Sequence, residues 1–199
     1  FAQVELLNDF AALALSIPAL AAADLVALGR GTAVDAAPCL VLGPGTGFGA
    51  AILLPSGEVI ATEAGHGLLG AVNEAERLLL KRLAFDDKPV SIENVLSGAG
   101  LLRLYATFEQ AGRGSSVSME TFVDAYNQGA STAQSALSSF FAFLGIAARD
   151  LALATGARGG VYIAGGILPR YADVLVDSLF RERFETATPL HGYLENIPC

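Results

Sequence analysis

Pro38-Cys39-Leu40-Val41-Leu42-Gly43-Pro44-Gly45-Thr46-Gly47-Phe48-Gly49-Ala50-Ala51-Ile52-Leu53-Leu54 is the stretch that decides the fold class. An apolar run too short for a helix breaks into glycines and resumes as a second apolar run. This predicts a strand over 38–42, a turn, and a strand over 50–54. Pro55-Ser56-Gly57 then turns the chain into 58–62, so the second and third strands should form an antiparallel hairpin.

Upstream, residues 2–7 alternate weakly and stop at Asn8-Asp9, after which 10–28 reads as a helix that Pro18 kinks or splits. A loop over 29–37 follows. Downstream of the hairpin, Asn73 stands three residues before Glu76 in the arrangement of a capping box, with Leu78, Leu79 and Leu83 as the expected buried stripe. Two short helices over 91–110 should meet at Ser97-Gly98-Ala99-Gly100, and Ser118 can cap a helix reaching about Gln128. Residues 131–155 carry Ala, Leu and Phe on nearly every face, the pattern of a helix buried on most sides. A central strand over 161–164 ends at Gly165-Gly166, Pro169 opens a helix through about Phe180, and the remainder reads as loop. Strands and helices alternate without internal repeats, which predicts an α/β fold with a mixed β-sheet and flanking helices.

At 199 residues and 53% hydrophobic, the chain can bury one sizeable core. Twelve basic residues against twenty acidic ones give a net charge of −8, the wrong sign for holding nucleic acid through its phosphates. A small-molecule ligand fits better, and a nucleotide would have to be neutralised locally by backbone N–H groups and a metal ion. No stretch of about 18 to 20 uninterrupted apolar residues argues for a membrane span. The nearest, 10–23, contains Ser16 and Pro18 and is fenced by Asp9 and Asp24. Cys39 and Cys199 lie far apart without a Cys-x-x-Cys or a partnering histidine, so neither a zinc site nor a disulfide framework is indicated, and a reducing cytoplasm is expected. The chain opens at Phe1 inside an apparent strand, without a signal peptide, which reads as truncation.

Several residues could carry chemistry, each with an ordinary alternative. The cluster from Gly43 to Gly49 fails the dinucleotide fingerprint, whose third glycine would fall on Phe48, and lacks the Gly-Lys-Ser/Thr of a Walker loop. What remains is Gly45-Thr46-Gly47, either a plain hairpin turn or one whose N–H groups and Thr46 hydroxyl close on a phosphate. Asn8-Asp9 is either a helix N-cap or a place where Asp9 faces a cleft as general base toward a substrate hydroxyl. Glu63-Ala64-Gly65-His66 offers a carboxylate and an imidazole to a small polar ligand, or is a surface loop. Glu93 is a first-turn helix carboxylate with or without a further role. Gly165-Gly166 would admit a ring or ribose to the backbone, or serve close helix–strand packing.

Taken in order, these motifs resemble the bacterial hexokinase-type glucokinases of the actin-like ATPase (ribonuclease H-like) superfold. Leu6-Leu7-Asn8-Asp9-Phe10 looks like the family's catalytic segment, Gly43 to Gly49 its second phosphate loop, and Glu63-Ala64-Gly65-His66 its sugar-binding Glu-Gly-Gly-His. Val95-Leu96-Ser97-Gly98-Ala99-Gly100-Leu101 is similar to its Leu-Ser-Gly-Pro-Gly-Leu run, preceded by a sugar-contacting glutamate, here Glu93. Tyr162-Ile163-Ala164-Gly165-Gly166-Ile167-Leu168-Pro169-Arg170 resembles the adenosine motif. Ala64 for Gly and Ala99 for Pro are mild departures that remove no polar group.

The resemblance implies transfer of the ATP γ-phosphoryl group to the 6-hydroxyl of glucose, with Mg²⁺ entering as the ATP complex. Asp9 would be the catalytic base, Asn8, Asp9, Glu63, His66 and Glu93 the sugar ligands, and Gly45, Thr46, Gly47, Gly165 and Gly166 the nucleotide contacts. The partners it implies are glucose and ATP, with room for a homodimer and none for nucleic acid or membrane. Related sugar kinases carry a cysteine-rich zinc loop after the histidine, whereas Gly67-Leu68-Leu69-Gly70 follows His66, so no zinc is expected. The family's opening Asp-x-Gly-Gly-Thr loop does not occur in the chain, and its absence implies little turnover by these residues alone. By the same resemblance, residues 1–19 are the tail of the small domain and hinge, and 20–199 most of the large domain without its final strand and helix. The rivals are a non-catalytic sugar sensor on the same fold and a kinase for another hexose such as mannose or N-acetylglucosamine.

Overall fold

A computed structural model describes residues 7–84, 88–110, 117–186 and 189–199. The strand expected over 2–7 falls mostly outside them. The first described element is α1 (Asp9–Ser16), which stops well short of the helix expected through Leu28. Pro18 has no N–H to give to Ala14, and the Ile17 N–H turns back to the Ala14 carbonyl instead. Single 3₁₀ turns at Ile17–Ala19 and Ala22–Asp24 carry the chain onward.

The sheet has four strands: β1 (Cys39–Pro44), β2 (Phe48–Leu53), β3 (Val59–Thr62) and β4 (Gly160–Ile163). Their order is β3-β2-β1-β4, antiparallel between β1 and β2 and between β2 and β3, parallel between β1 and β4. Thr62 pairs with Ala50 and Ile163 with Leu42, so the carboxyl ends of β1, β3 and β4 share one edge of the sheet with the start of β2. Alternation along the strands gives the sheet two buried faces. Val41, Ala51 and Leu53 meet Phe10 and Ala14 of α1 on one. Leu40, Leu42, Ala50 and Val161 join the larger core on the other.

Helices cover that second face. They begin with α2 (Glu74–Leu83), α3 (Ile92–Val95), α4 (Gly98–Phe108) and α5 (Met119–Asn127). The 25-residue α6 (Ser131–Thr155) is the central one, ended by Gly156 in the left-handed conformation at φ 66°. An 18-residue window of α6 reaches a mean hydropathy of 1.5, long and apolar enough to cross a membrane, but the same window is 67% buried within the protein. Phe140, Phe141, Phe143, Leu144 and Ile146 are fully buried, the apolarity of a core helix. Each such side chain contributes about 1.5–3 kcal/mol relative to exposure.

Three details differ from expectation. Asn73 caps α2 by accepting from the Glu76 N–H at 2.8 Å, but Glu76 returns its bond to the Val72 N–H rather than to Asn73. The other Glu76 oxygen accepts from Arg183 Nε at 2.6 Å, which turns this acid inward. The buried stripe therefore runs Glu76, Leu79, Leu80, Leu83, and Leu78 is left 52% exposed. Beyond β4, the expected single helix breaks into a 3₁₀ turn at Leu168–Tyr171, α7 (Ala172–Val176) and α8 (Phe180–Glu185). Ser178 makes the break by donating to the Leu175 carbonyl at 2.7 Å and accepting from the Phe180 N–H at 3.1 Å.

Nor is the last stretch a plain loop, because α9 (His191–Glu195) forms in it. The Arg181 guanidinium donates to the carbonyls of Leu194, Glu195 and Ile197 and to Cys199 Sγ. The Val161 and Leu28 N–H groups donate to the carbonyls of Pro198 and Cys199 at 2.9 and 2.8 Å. A polar-looking tail is thus ordered by buried donors that composition does not reveal.

Candidate active site

The shared edge of strand ends is built by close backbone approach. At the ends of β1 and β4 the Ala164 N–H donates to the Leu42 carbonyl at 2.9 Å. A Cβ on Gly43 would collide with the Ala164 carbonyl, and one on Gly165, at φ 116°, with the Pro44 carbonyl. Gly165 therefore serves strand-to-strand packing and a backbone conformation that side chains disfavour. Gly166, by contrast, has open space where a side chain would stand.

The turn between β1 and β2 is closed by the Gly45 N–H donating to the Gly47 carbonyl at 2.8 Å, with Thr46 exposed at its tip. It is also held from outside. The Gly98 N–H at the start of α4 donates to the Gly45 carbonyl at 3.0 Å, and Ser97, the N-cap of α4, is itself buried and bonded to the Gly100 N–H at 3.1 Å. Glu93 on α3 accepts from the Phe48 N–H through Oε2 at 3.0 Å. Space around Gly45 remains open.

Asn8 takes the helix-cap role that the sequence left open, and Asp9 stands beside it at the start of α1. Asn8 Oδ1 is the N-cap of α1, accepting from the N–H groups of Phe10 and Ala11 at 3.0 and 3.3 Å. Asp9 Oδ1 accepts from the Phe10 N–H at 2.9 Å, and no hydrogen bond to Asp9 Oδ2 occurs among the described residues. Both side chains are on the surface. Phe10 fixes their position, because its ring packs where a Gly49 side chain would be, at the start of β2.

Glu63 precedes and His66 ends a 3₁₀ turn, Ala64–His66, directly after β3. Their side chains are 90% and 70% exposed, with 3.8 Å between Oε2 and Nε2. Gly65 is buried against the Phe48 carbonyl. The Gly67 carbonyl accepts from the Ile92 N–H at 2.8 Å, tying this loop to α3. Segments carrying Asp9, Glu63, His66 and Glu93 therefore each pack on Phe48 or its neighbours, next to the Gly45–Gly47 turn. Carboxylates and an amide that accept from and donate to hydroxyls stand beside a turn rich in backbone donors, at the edge where α/β folds bind ligands.

The whole chain, residues 1–199, matches the family model described as glucokinase. The chain belongs to the glucokinase family. It is 42% identical over 203 residues to the glucokinase of Paramagnetospirillum magneticum, covering 98% of this chain and 63% of that protein. Among solved structures, a glucokinase from an Antarctic psychrotroph superposes with a TM-score of 0.88 at 37% identity, over 96% of this chain and 61% of that one. A glucokinase from Balamuthia mandrillaris, solved in complex with glucose, gives a TM-score of 0.66 at 26% identity, over 83% and 50%. The fold is accordingly that of the actin-like sugar kinases, and the chain spans about three fifths of the length of its curated relatives.

Within the glucokinase fold of this chain, sequence reasoning missed the groups that assemble the edge rather than those that face it. Phe10, the Phe48 N–H, Gly49 and the Gly98 N–H were legible only as neighbours of the motifs. A bulky residue beside a surface acid, and a glycine just beyond a turn, are the signals that could have found Phe10 and Gly49. A cavity of about 480 Å³ lies elsewhere, lined by residues of α5, α6 and α7 such as Tyr126, Phe141 and Asp173, and none of the candidate site residues lines it. Among the described residues no group of three or more His, Cys, Asp or Glu could hold a metal ion.

Proposed function

We propose that this chain carries the sugar site and the second phosphate loop of a cytoplasmic glucokinase, which transfers the γ-phosphoryl group of ATP to the 6-hydroxyl of glucose. The observation that supports the reading is that the segments carrying Asn8, Asp9, Glu63, His66 and Glu93, far apart in sequence, pack on Phe48, Gly49 or their neighbours beside the Gly45–Gly47 turn. Asp9 takes the proton of the attacking hydroxyl through its open Oδ2. Asn8 donates through its amide nitrogen, while Glu63, His66 and Glu93 complete the ring of hydrogen bonds that fixes the sugar. A ring of this kind discriminates strongly against analogues lacking a hydroxyl.

Thr46 and Gly47 offer the phosphates backbone N–H and hydroxyl donors, Gly45, whose own N–H closes the turn, leaves them room to approach, and the open space at Gly166 admits the nucleoside. Mg²⁺ is part of the ATP substrate and spreads the phosphate charge. Catalysis rests on positioning and charge stabilisation, as general for phosphoryl transfer. In this reading residues 1–19 are the tail of the small domain and hinge, and 20–199 belong to the large domain. The acidic net charge of −8 supports small substrates over nucleic acid.

The test is a coupled assay for glucose 6-phosphate on the whole protein that contains this chain, with glucose, mannose and N-acetylglucosamine compared. ATP-dependent formation of glucose 6-phosphate, with glucose preferred, is expected. Sugar binding without ATP-dependent turnover would replace the kinase by a sensor, and a preference for another hexose would change the substrate.

A further inference from the structure

The one-turn helix α3 touches both halves of the site. Its first residue, Ile92, donates to the Gly67 carbonyl of the Glu63–His66 loop at 2.8 Å. Its second, Glu93, accepts from the Phe48 N–H with Oε2 at 3.0 Å, across a separation of 45 residues. A Cβ on Gly47 would overlap that same oxygen, so the carboxylate occupies the place a side chain on the turn would take. Just beyond α3, the Gly98 N–H holds the Gly45 carbonyl at 3.0 Å. The turn is thus gripped at both ends by one short segment, and Glu93 is the side chain in the grip.

Glu93 is half-buried, and among the described residues no hydrogen bond to its Oε1 occurs. One oxygen faces the turn and the other is available to a ligand. We propose that Glu93 is a positioning residue for the phosphate turn as well as a sugar ligand, so that the sugar and nucleotide sites share one carboxylate. The sugar half of this inference rests on the function proposed above; the positioning half rests on the geometry alone. Sugar drawn to Oε1 orders the carboxylate and with it the Phe48 N–H and the Gly45–Gly47 turn, which favours nucleotide binding. By linkage, nucleotide on the turn must favour sugar to the same degree.

The experiment has two readouts. In the 199-residue chain, amide hydrogen exchange at Phe48 is compared between the unsubstituted protein, Glu93→Ala and Glu93→Gln, with amides of α6 as a control for folding. Exchange at Phe48 should rise at least about tenfold in Glu93→Ala and stay near the original in Glu93→Gln, whose amide oxygen still accepts. Unchanged exchange in Glu93→Ala would overturn the positioning role. In the whole protein, the affinity for Mg·ADP is measured without sugar. A residue serving sugar alone would leave it unchanged in Glu93→Ala, which would overturn the shared role; a loss of roughly tenfold, restored in large part by Glu93→Gln, is expected. Should Glu93→Ala misfold, Gly47→Ala replaces it and should lower glucose affinity by displacing the carboxylate. Failure of the unsubstituted protein to bind either ligand would overturn the kinase reading and the sharing with it, while the exchange contrast would still decide the hydrogen bond.

Discussion

Phe140, Phe141 and Phe143 on α6 are fully enclosed by neighbouring side chains, whereas Gly43, Gly47, Gly49 and Gly65 at the strand-end edge are enclosed by backbone, a carboxylate and one aromatic ring. The first region is held by side-chain volume. In the second, missing side chains bring polar backbone groups together and leave some of them facing outward. A core of the first kind is weakened by loss of volume, and the edge is disturbed by gain of volume at those four glycines. The contrast separates the residues that keep the chain folded from those that would meet a ligand.

Removing volume should produce the largest effect. Phe143→Ala leaves a cavity beneath α6 and should destabilise the protein by about 3–5 kcal/mol, read as the shift in a urea unfolding midpoint. A change below about 1 kcal/mol would mean that α6 is not the centre of the core. At the edge, Asp9→Asn should do the reverse. It keeps the size and the bond to the Phe10 N–H, so the melting temperature should hold while kcat for the proposed phosphoryl transfer, measured on the whole protein, falls by roughly 10²-fold or more and glucose binding persists. Undiminished turnover would remove Asp9 from the base role.

A pH experiment sharpens the comparison from the core side. Burial pushes the Cys199 thiol up to about 12 from its usual 9.0, with Arg181 pulling more weakly the other way. Burial likewise raises Cys39, Tyr105, Tyr162 and Tyr171. A group whose folded pKa is raised adds stability below its unfolded pKa and loses it as pH climbs toward the folded value. Thermal melts should therefore be flat with respect to these groups below pH 9 and fall between 9 and 12, less steeply in Cys199→Ala. An equal slope in the two proteins would show that the Cys199 thiol is not enclosed by the tail around Arg181.

Much of this was legible in the sequence, and two of the misses share a cause. The strands around 38–62, the hairpin and the long buried helix were readable because periodicity and turn chemistry are local. Pro18 interrupts the first helix as expected, but only 3₁₀ turns follow it where helix was expected through Leu28; the stripe of α2 failed because Arg183 draws Glu76 inward, and the helix after Pro169 failed at Ser178. The last two depend on partners or side-chain bonds that no hydropathy pattern records. For the site the order of motifs was readable, but not how they meet: the Glu93 contact with Phe48 joins positions that no local window spans.

Gly45→Ala should give the smallest effect on the fold and therefore the cleanest one on function. Gly43 and Gly45 stand two places apart in the same cluster, yet a Cβ on Gly43 would strike the Ala164 carbonyl, while one on Gly45 meets nothing within 4 Å. Gly45 is also outside the positive-φ glycines, so alanine fits its backbone and should change stability by no more than about 1 kcal/mol, with a small gain as reasonable as a loss. If phosphate oxygens approach the turn, the added methyl stands in their path, and affinity for Mg·ADP should drop while the unfolding midpoint stays where it was. Gly43→Ala should do the opposite, lowering stability first and ligand binding only as a consequence. Equal behaviour of the two variants would mean that the glycines of this turn serve the hairpin alone; divergent behaviour would separate the scaffold from the phosphate site within one turn.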